Sequence, residues 1–279
     1  MIRSNNKFLL ITLFVFLISK GNAQDLFSTG NIKKFAGYLF NTQQYDLAAN
    51  EYERILSISP NDTDVFPNLL KSYRLGNNCE NSFQTLERIN VDHFFNHSEV
   101  SSEYLKLALT CTCCYNKPLF NRAISTMDKK NRAFYELGHY VFAEDKDSII
   151  YYAEANRNIL ITNYPDIFSN AYEIHMIKGK SPFIAASMST LFPGSGKAYS
   201  GFWGDAMMSL LFVSTNAWIS YHGFKKKGVK STSGWIFGSL SFGFYIGNIW
   251  GSAKAAKNYN KTVYNKLYDE AKNNYYKRF

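Results

Sequence analysis

At 279 residues the chain can form one or two domains with a real core, and its composition is that of a folded protein rich in Phe and Tyr. Its formal charge of +9 is unevenly placed: residues 24–177 carry 14 Lys+Arg against 19 Asp+Glu, and residues 178–279 carry 14 against 3. The basic excess therefore lies beside apolar stretches, where it suits anionic lipid headgroups, and nucleic acid is not the expected partner.

The N-terminus reads as a secretory signal peptide over residues 1–23. Arg3 and Lys7 form a basic start, Phe8 to Ile18 is an apolar run too short for a comfortable span, and Gly21-Asn22-Ala23 offers small residues for cleavage before Gln24. No Cys follows the apolar run, so a lipoprotein is not expected. Export makes a disulfide reasonable among Cys79, Cys111, Cys113 and Cys114.

Residues 24–177 are expected to form an all-α array of stacked helical hairpins. In Phe35-Ala36, Leu39, Tyr45, Ala48, Tyr52, Ile55 and Pro60 the order and spacing resemble the tetratricopeptide repeat, a helix–turn–helix unit of about 34 residues. Ala36 and Ala48 let two helices approach, Tyr45, Tyr52 and Ile55 fill the groove, and Pro60 stops the second helix because it cannot donate the next backbone hydrogen bond. Asn61-Asp62-Thr63 supplies cap and turn residues for the next helix. A poorer copy follows through Phe66, Leu69, Leu70 and Tyr73, the turn Gly76-Asn77-Asn78, then Ser82, Phe83 and Leu86. Degenerate hairpins are expected over 100–127 and 132–156, with 164–177 as a cap. A hairpin cannot bury its apolar face alone, so the units must stack.

Stacking places the turns of neighbouring units side by side. A bridge from Cys79 to one of Cys111, Cys113 or Cys114 is the expectation, with Cys111–Cys114 as the alternative. His93, His97 and Cys111-x-Cys113 could be read as zinc ligands, but the cysteine spacing is wrong for the usual site, so no metal is expected.

The chain changes character at Lys178-Gly179-Lys180-Ser181-Pro182, and residues 178–256 are expected to form a membrane domain. Residues 183–192 suit a half-helix, whereas 206–223 and 234–253 are long enough for a two-helix membrane hairpin. Gly243, Gly247 and Gly251 form a stripe for close helix packing, either against Ser209, Ser214 and Ala217 of 206–223 or in a homo-oligomer. Asn248 is expected to bond to a neighbouring helix.

Between the first two apolar stretches, Gly194-Ser195-Gly196-Lys197 suggests a phosphate loop. Leu191 stands where that loop needs Gly, Ala198 where it needs Ser or Thr, and no strand precedes it. A membrane-surface turn is expected instead, with Tyr199 and Trp203 at the headgroups and Asp205 capping the next helix. Pro193, Gly194, Gly196, Tyr199, Gly201 and Asp205, preceded by Ser181-Pro182 and closed by Gly243, Tyr245, Asn248 and Gly251, resemble the small C-terminal membrane domain of uncharacterised bacterial membrane proteins. That resemblance implies topology and no activity. Lys197 departs from it, at a position where Gln is common.

Orientation follows from the leader and the loop charges. With the repeats exported, Lys225, Lys226, Lys227 and Lys230 fall in the cytoplasm, as the positive-inside tendency prefers. Residues 257–279 form a basic amphipathic tail, expected along the membrane surface on the exported side, against that tendency. A third span at 183–192 would reverse both assignments. There is no HExxH motif, no nucleophile elbow and no matched Cys–His pair, so neither a cofactor nor an enzyme is expected. The expected function is a scaffold at the bacterial inner membrane, its repeats binding a protein or peptide partner in the periplasm. An envelope enzyme and a small subunit of a membrane transport or assembly complex are the alternatives.

Overall fold

The computed structural model describes residues 28–88, 91–111 and 115–279, which form fourteen α-helices with no strand among them. The leader expected at 1–23 lies outside the described residues, as do Cys113 and Cys114. Two compact units divide the chain, the first ending at Met127 and the second running from Asp128 to Phe279.

In the first unit, α1 (Thr29–Asn41) and α2 (Tyr45–Ile58) form the first hairpin. Ala36, Ala48, Tyr52 and Ile55 are buried between them as expected, while Tyr45 is half-buried and Phe35 is exposed. Pro60 follows the end of α2, and Asp62 Oδ1 accepts hydrogen bonds from the Asp64 and Val65 amides, capping the way into α3 (Phe66–Leu75). Next come α4 (Cys79–Arg88), a 3-10 turn (Val91–Asn96), α5 (Ser98–Thr110) and α6 (Lys117–Ser125). Arg74, Glu103 and Lys106 tie α3 to α5: the carboxylate lies 3.0 Å from the guanidinium and 2.6 Å from the ammonium.

Cys79, which opens α4, is bonded to Cys111, which follows α5, with their Cα atoms 5.4 Å apart. Cys111 is therefore unavailable as a metal ligand, and the described residues contain no group of three or more His, Cys, Asp or Glu that could hold a metal.

The second unit opens with α7 (Lys129–Phe142) and α8 (Lys146–Ala155), the hairpin expected over 132–156. Helices α9 (Arg157–Asn163) and α10 (Pro165–Met176) follow, then α11 (Pro182–Leu191), the short α12 (Ser195–Tyr199), α13 (Trp203–Lys227) and α14 (Thr232–Tyr276). The boundary expected after residue 177 falls inside this unit, because α14 does not stop where its apolar part ends. It continues unbroken for 45 residues, a length of ~68 Å at ~1.5 Å per residue.

The tail is thus no separate surface-lying element. It is the second half of α14, and its aromatic stripe packs on α7 and α10, with Tyr264 meeting Lys146 at the start of α8. Tyr275 is wholly buried, packs on Phe134 with ring centroids 4.6 Å apart and planes tilted by 38°, and donates to the Phe134 carbonyl. Tyr268 donates to the Glu144 carbonyl, Lys272 meets the Glu144 carboxylate at 2.7 Å, and Arg278 meets Asp166 at 2.7 Å. Asn260 bonds both the amide and the carbonyl of Lys180, so the 178–182 segment is pinned against α14.

No helix among the described residues is long and apolar enough to cross a membrane. The spans expected at 206–223 and 234–253 are therefore absent as uniformly apolar stretches. Ser, Thr, Asn and Gly dilute both, and Ser220, Gly234, Ser241 and Asn248 are buried between the two helices.

Closing the 32-residue loop between Cys79 and Cys111 stabilises the first unit by about 3–4 kcal/mol on chain entropy. Replacing both cysteines by Ser is expected to lower the urea midpoint accordingly; a midpoint unchanged from the oxidised wild type would contradict the bridge. In the second unit, burial first and the Glu144 carboxylate next push the Tyr268 phenol up to about 12, and burial holds Tyr275 well above its ordinary value of 10. The stabilisation from Tyr268 is complete below pH 10, where unfolded tyrosines begin to ionise, and is lost as pH rises through about 12; Tyr275 acts in the same direction. Alkaline titration followed by phenolate absorbance and circular dichroism is expected to show helix loss in that window.

Candidate functional site

The seam between α13 and α14 is built from small and polar residues at seven-residue spacing: Ala206, Val213 and Ser220 on one helix, Gly234, Ser241, Asn248 and Ala255 on the other. That period keeps one face of each helix on its antiparallel neighbour. Ser220 Oγ donates to the Gly234 carbonyl at 2.7 Å, and Ser241 Oγ donates to the Val213 carbonyl at 2.9 Å. The pair is polar inside and apolar outside. Fifteen Met, Leu, Ile, Phe and Trp side chains on these two helices are more than a third exposed. Each forgoes part of the ~1.5–3 kcal/mol that full burial of a large apolar side chain gives, and so many on one helix pair mark an interaction surface.

The Gly-rich turn closes the open end of the pair. Gly194 has φ +93°, and a Cβ on it would lie 2.2 Å from the Ala206 carbonyl oxygen. A Cβ on Gly196 would lie 1.8 Å from the Ala185 carbonyl oxygen of α11. Both positions admit glycine alone. Asn248 Oδ1 accepts from the Gly194 amide at 3.1 Å, so this asparagine does bond across to a neighbouring segment. Ser189 Oγ accepts from the Gly196 amide and shares a 2.7 Å hydrogen bond with Ser252 Oγ. Tyr245 donates to the Thr190 carbonyl. The turn residues and the 243–251 segment, joined in the sequence only by resemblance, are neighbours in space.

Other expectations need correction. Gly243 and Gly247 do not pack on α13: a Cβ on either would meet nothing within 4 Å, because the seam runs through Gly234, Ser241 and Asn248 instead. Gly251 is crossed by Lys197, whose Cε would lie 3.3 Å from a Cβ there. Asp205 does not cap α13, since Phe202 holds the cap position and Asp205 lies in the helix's first turn. Trp203 is exposed, whereas Tyr199 is half-buried under the Lys180 ammonium. Pro193 and Gly201 complete the turn, Gly201 at φ +89°.

Lys197, Asp205, Ser209, Gly243, Gly247 and Asn248 line a cavity of about 290 Å³ between α12, α13 and α14. No sequence motif marks it, because its polar residues come from three elements. In the first unit, a groove of about 440 Å³ is lined by Asn50, Glu53, Arg54, Ser57, Thr85 and Arg88. There Glu53 accepts from the Tyr73 hydroxyl and meets Arg88 at 3.1 Å, while Tyr73 shares a 2.9 Å hydrogen bond with Thr85. Burial, reinforced by Glu53, pushes the Tyr73 phenol far up. In the groove Glu53 is paired with Arg88, while Arg54 pairs with Glu51 outside it.

Overpacking at Gly196 should cost about 2 kcal/mol or more, because the obstacle is backbone. Alanine at Gly243 should be neutral or gain up to ~1 kcal/mol from helix propensity. Thermal melts of the two variants are expected to separate in that order; equal destabilisation would put Gly243 in a packed seam. No family model, curated protein or solved structure matches the chain.

Proposed function

We propose that this chain is a membrane-anchored interaction scaffold of the bacterial envelope. Its helical hairpins offer a surface to a protein or peptide partner in the periplasm, and the α13–α14 pair holds that surface at the inner membrane. The pair enters lipid as a preassembled unit, not as two independently apolar spans.

The observation that carries this reading is the segregation of the pair. Ser220 and Ser241 hydroxyls donate to backbone carbonyls across the seam, Asn248 accepts from the Gly194 amide at its end, and large apolar side chains cover the outside. Interhelical polar bonds with an apolar exterior are what a bilayer demands, since lipid offers backbone and side chains no hydrogen-bond partner. No Asp, Glu, Lys or Arg occurs at 206–224 or 231–253, and Lys225, Lys226, Lys227 and Lys230 gather at the hairpin tip. Mean hydropathy misses this segregation because it averages inner and outer faces together.

The docked tail supports a two-pass arrangement. Its basic residues ran against the positive-inside tendency, but Lys272 and Arg278 are engaged with Glu144 and Asp166. These two serve helix docking, so they do not report on lipid. The tail therefore stays on the side of α7–α10, and the Lys-rich tip lies opposite. The groove at Glu53 and Arg88 is the candidate place for a polar peptide.

Topology tests the proposal. Single cysteines at Lys227 and Lys266, introduced with Cys113 and Cys114 replaced by Ser, would be probed in spheroplasts with an impermeant thiol reagent. Lys266→Cys is expected to react at once and Lys227→Cys only after lysis. Reaction of both before lysis would overturn the membrane reading, and the reverse pattern would overturn the orientation.

A further inference from the structure

We propose that the cavity between α12, α13 and α14 binds the headgroup of an amine-bearing phospholipid, with phosphate on Lys197 and Asn248 and ammonium on Asp205. This rests on the reading that the pair lies in lipid, and it adds a ligand to it.

Lys197 leaves the Gly-rich turn, passes over Gly251 and ends 2.8 Å from Ser209 Oγ. Ser209 spends its own proton on the Asp205 backbone carbonyl, so it receives the ammonium with a lone pair. No carboxylate among the described residues lies within ion-pair distance of Lys197. A lysine has three N–H donors, and this one has a single protein acceptor.

Asn248 is the second, independent observation. It is 3% exposed and also lines the cavity. Its Oδ1 is taken by the Gly194 amide, while its Nδ2 is buried with no hydrogen-bond partner. Buried polar groups left unpaired are rare and call for a missing partner. An amide N–H and an ammonium facing the same space both ask for an acceptor, and a phosphate oxygen satisfies both.

Asp205 selects among phosphates. It is exposed at the same cavity and is the only carboxylate lining it, so it repels a bare anion and favours a ligand that also carries an ammonium. The cavity holds about 290 Å³, and at Gly243 and Gly247 its wall carries no side chain. Its remaining wall is apolar: Met208, Phe212 and Phe244, the two rings 5.3 Å apart. That wall suits the glycerol and first acyl carbons of a lipid better than a free phosphoamine.

The test is native mass spectrometry of the detergent-solubilised full chain with short-chain phosphatidylethanolamine, phosphatidylcholine and phosphatidylglycerol, and with free phosphoethanolamine. Phosphatidylethanolamine is expected to bind as a single adduct, about tenfold tighter than the other lipids. Asp205→Asn should erase that preference while phosphate lipids still bind, and Lys197→Met should weaken all of them about tenfold. Both variants keep the seam, which circular dichroism checks. Equal binding of all headgroups, or variants that bind like the wild type, would overturn the site. Free phosphoethanolamine binding as tightly as the lipid would overturn the lipid source. Partition of the chain into plain phosphatidylcholine vesicles reports on the membrane reading alone, so the two failures are distinguishable.

Discussion

A single uninterrupted helix has to satisfy two different surroundings, and the second unit is organised around that constraint. The first half of α14 presents Gly234 and Ser241 to α13 and Asn248 to the Gly-rich turn, and its second half presents Tyr268, Ala271 and Tyr275 toward the α7–α10 side of the unit. Small residues with hydroxyls suit a seam where helices approach closely and bond to each other. Tyrosines suit a docking face where apolar rings pack and the hydroxyl tips find carbonyls. Because the helix does not break, any movement of the apolar pair is transmitted to α7 and α10 of the same unit without a flexible linker. Asn260 removes the other route to slack by holding both polar groups of the Lys180 backbone.

The Gly-rich turn is the point where three segments meet. Gly194 lies against the Ala206 backbone and is held by Asn248, while Gly196 lies against Ala185 and is held by Ser189. Each contact is backbone to backbone or backbone to a short side chain, so each leaves no room for a Cβ. The turn is therefore structural in origin. The geometry also sends Lys197 back across the pair and leaves one amide of Asn248 unpaired beside it. A ligand site arises there as a consequence of how the turn closes.

Much of this was legible in the sequence, for identifiable reasons. Helix starts and stops were written in local chemistry: Pro60 after α2 and Asp62 as a cap. That Cys79 bridges to one of the later cysteines followed from turns of adjacent hairpins lying side by side, but the choice of Cys111 among the three was not legible. The continuation of α14 did not, because Lys254, Lys257 and Lys261 look like the solvated end of an apolar segment. The tyrosines beyond them read equally well as an interfacial face. The choice of seam was misread for a related reason. Glycines four apart at 243, 247 and 251 stand out in the sequence, whereas the seven-residue spacing of Gly234, Ser241 and Asn248 is recognisable as a seam only through the hydroxyl bonds to carbonyls. The cavity was invisible in sequence because Lys197, Asp205 and Asn248 belong to three elements.

All four tryptophans, Trp203, Trp218, Trp235 and Trp250, stand on the outside of the α13–α14 pair and are exposed. Their fluorescence therefore reports on what surrounds the pair without any engineered probe. The most direct measurement is quenching of the full chain by brominated lipids in reconstituted vesicles. Immersion predicts a blue-shifted emission that brominated acyl chains quench strongly and an aqueous quencher barely reaches. Emission at the wavelength of water-exposed indole, quenched by the aqueous agent and indifferent to brominated lipid, would contradict the account.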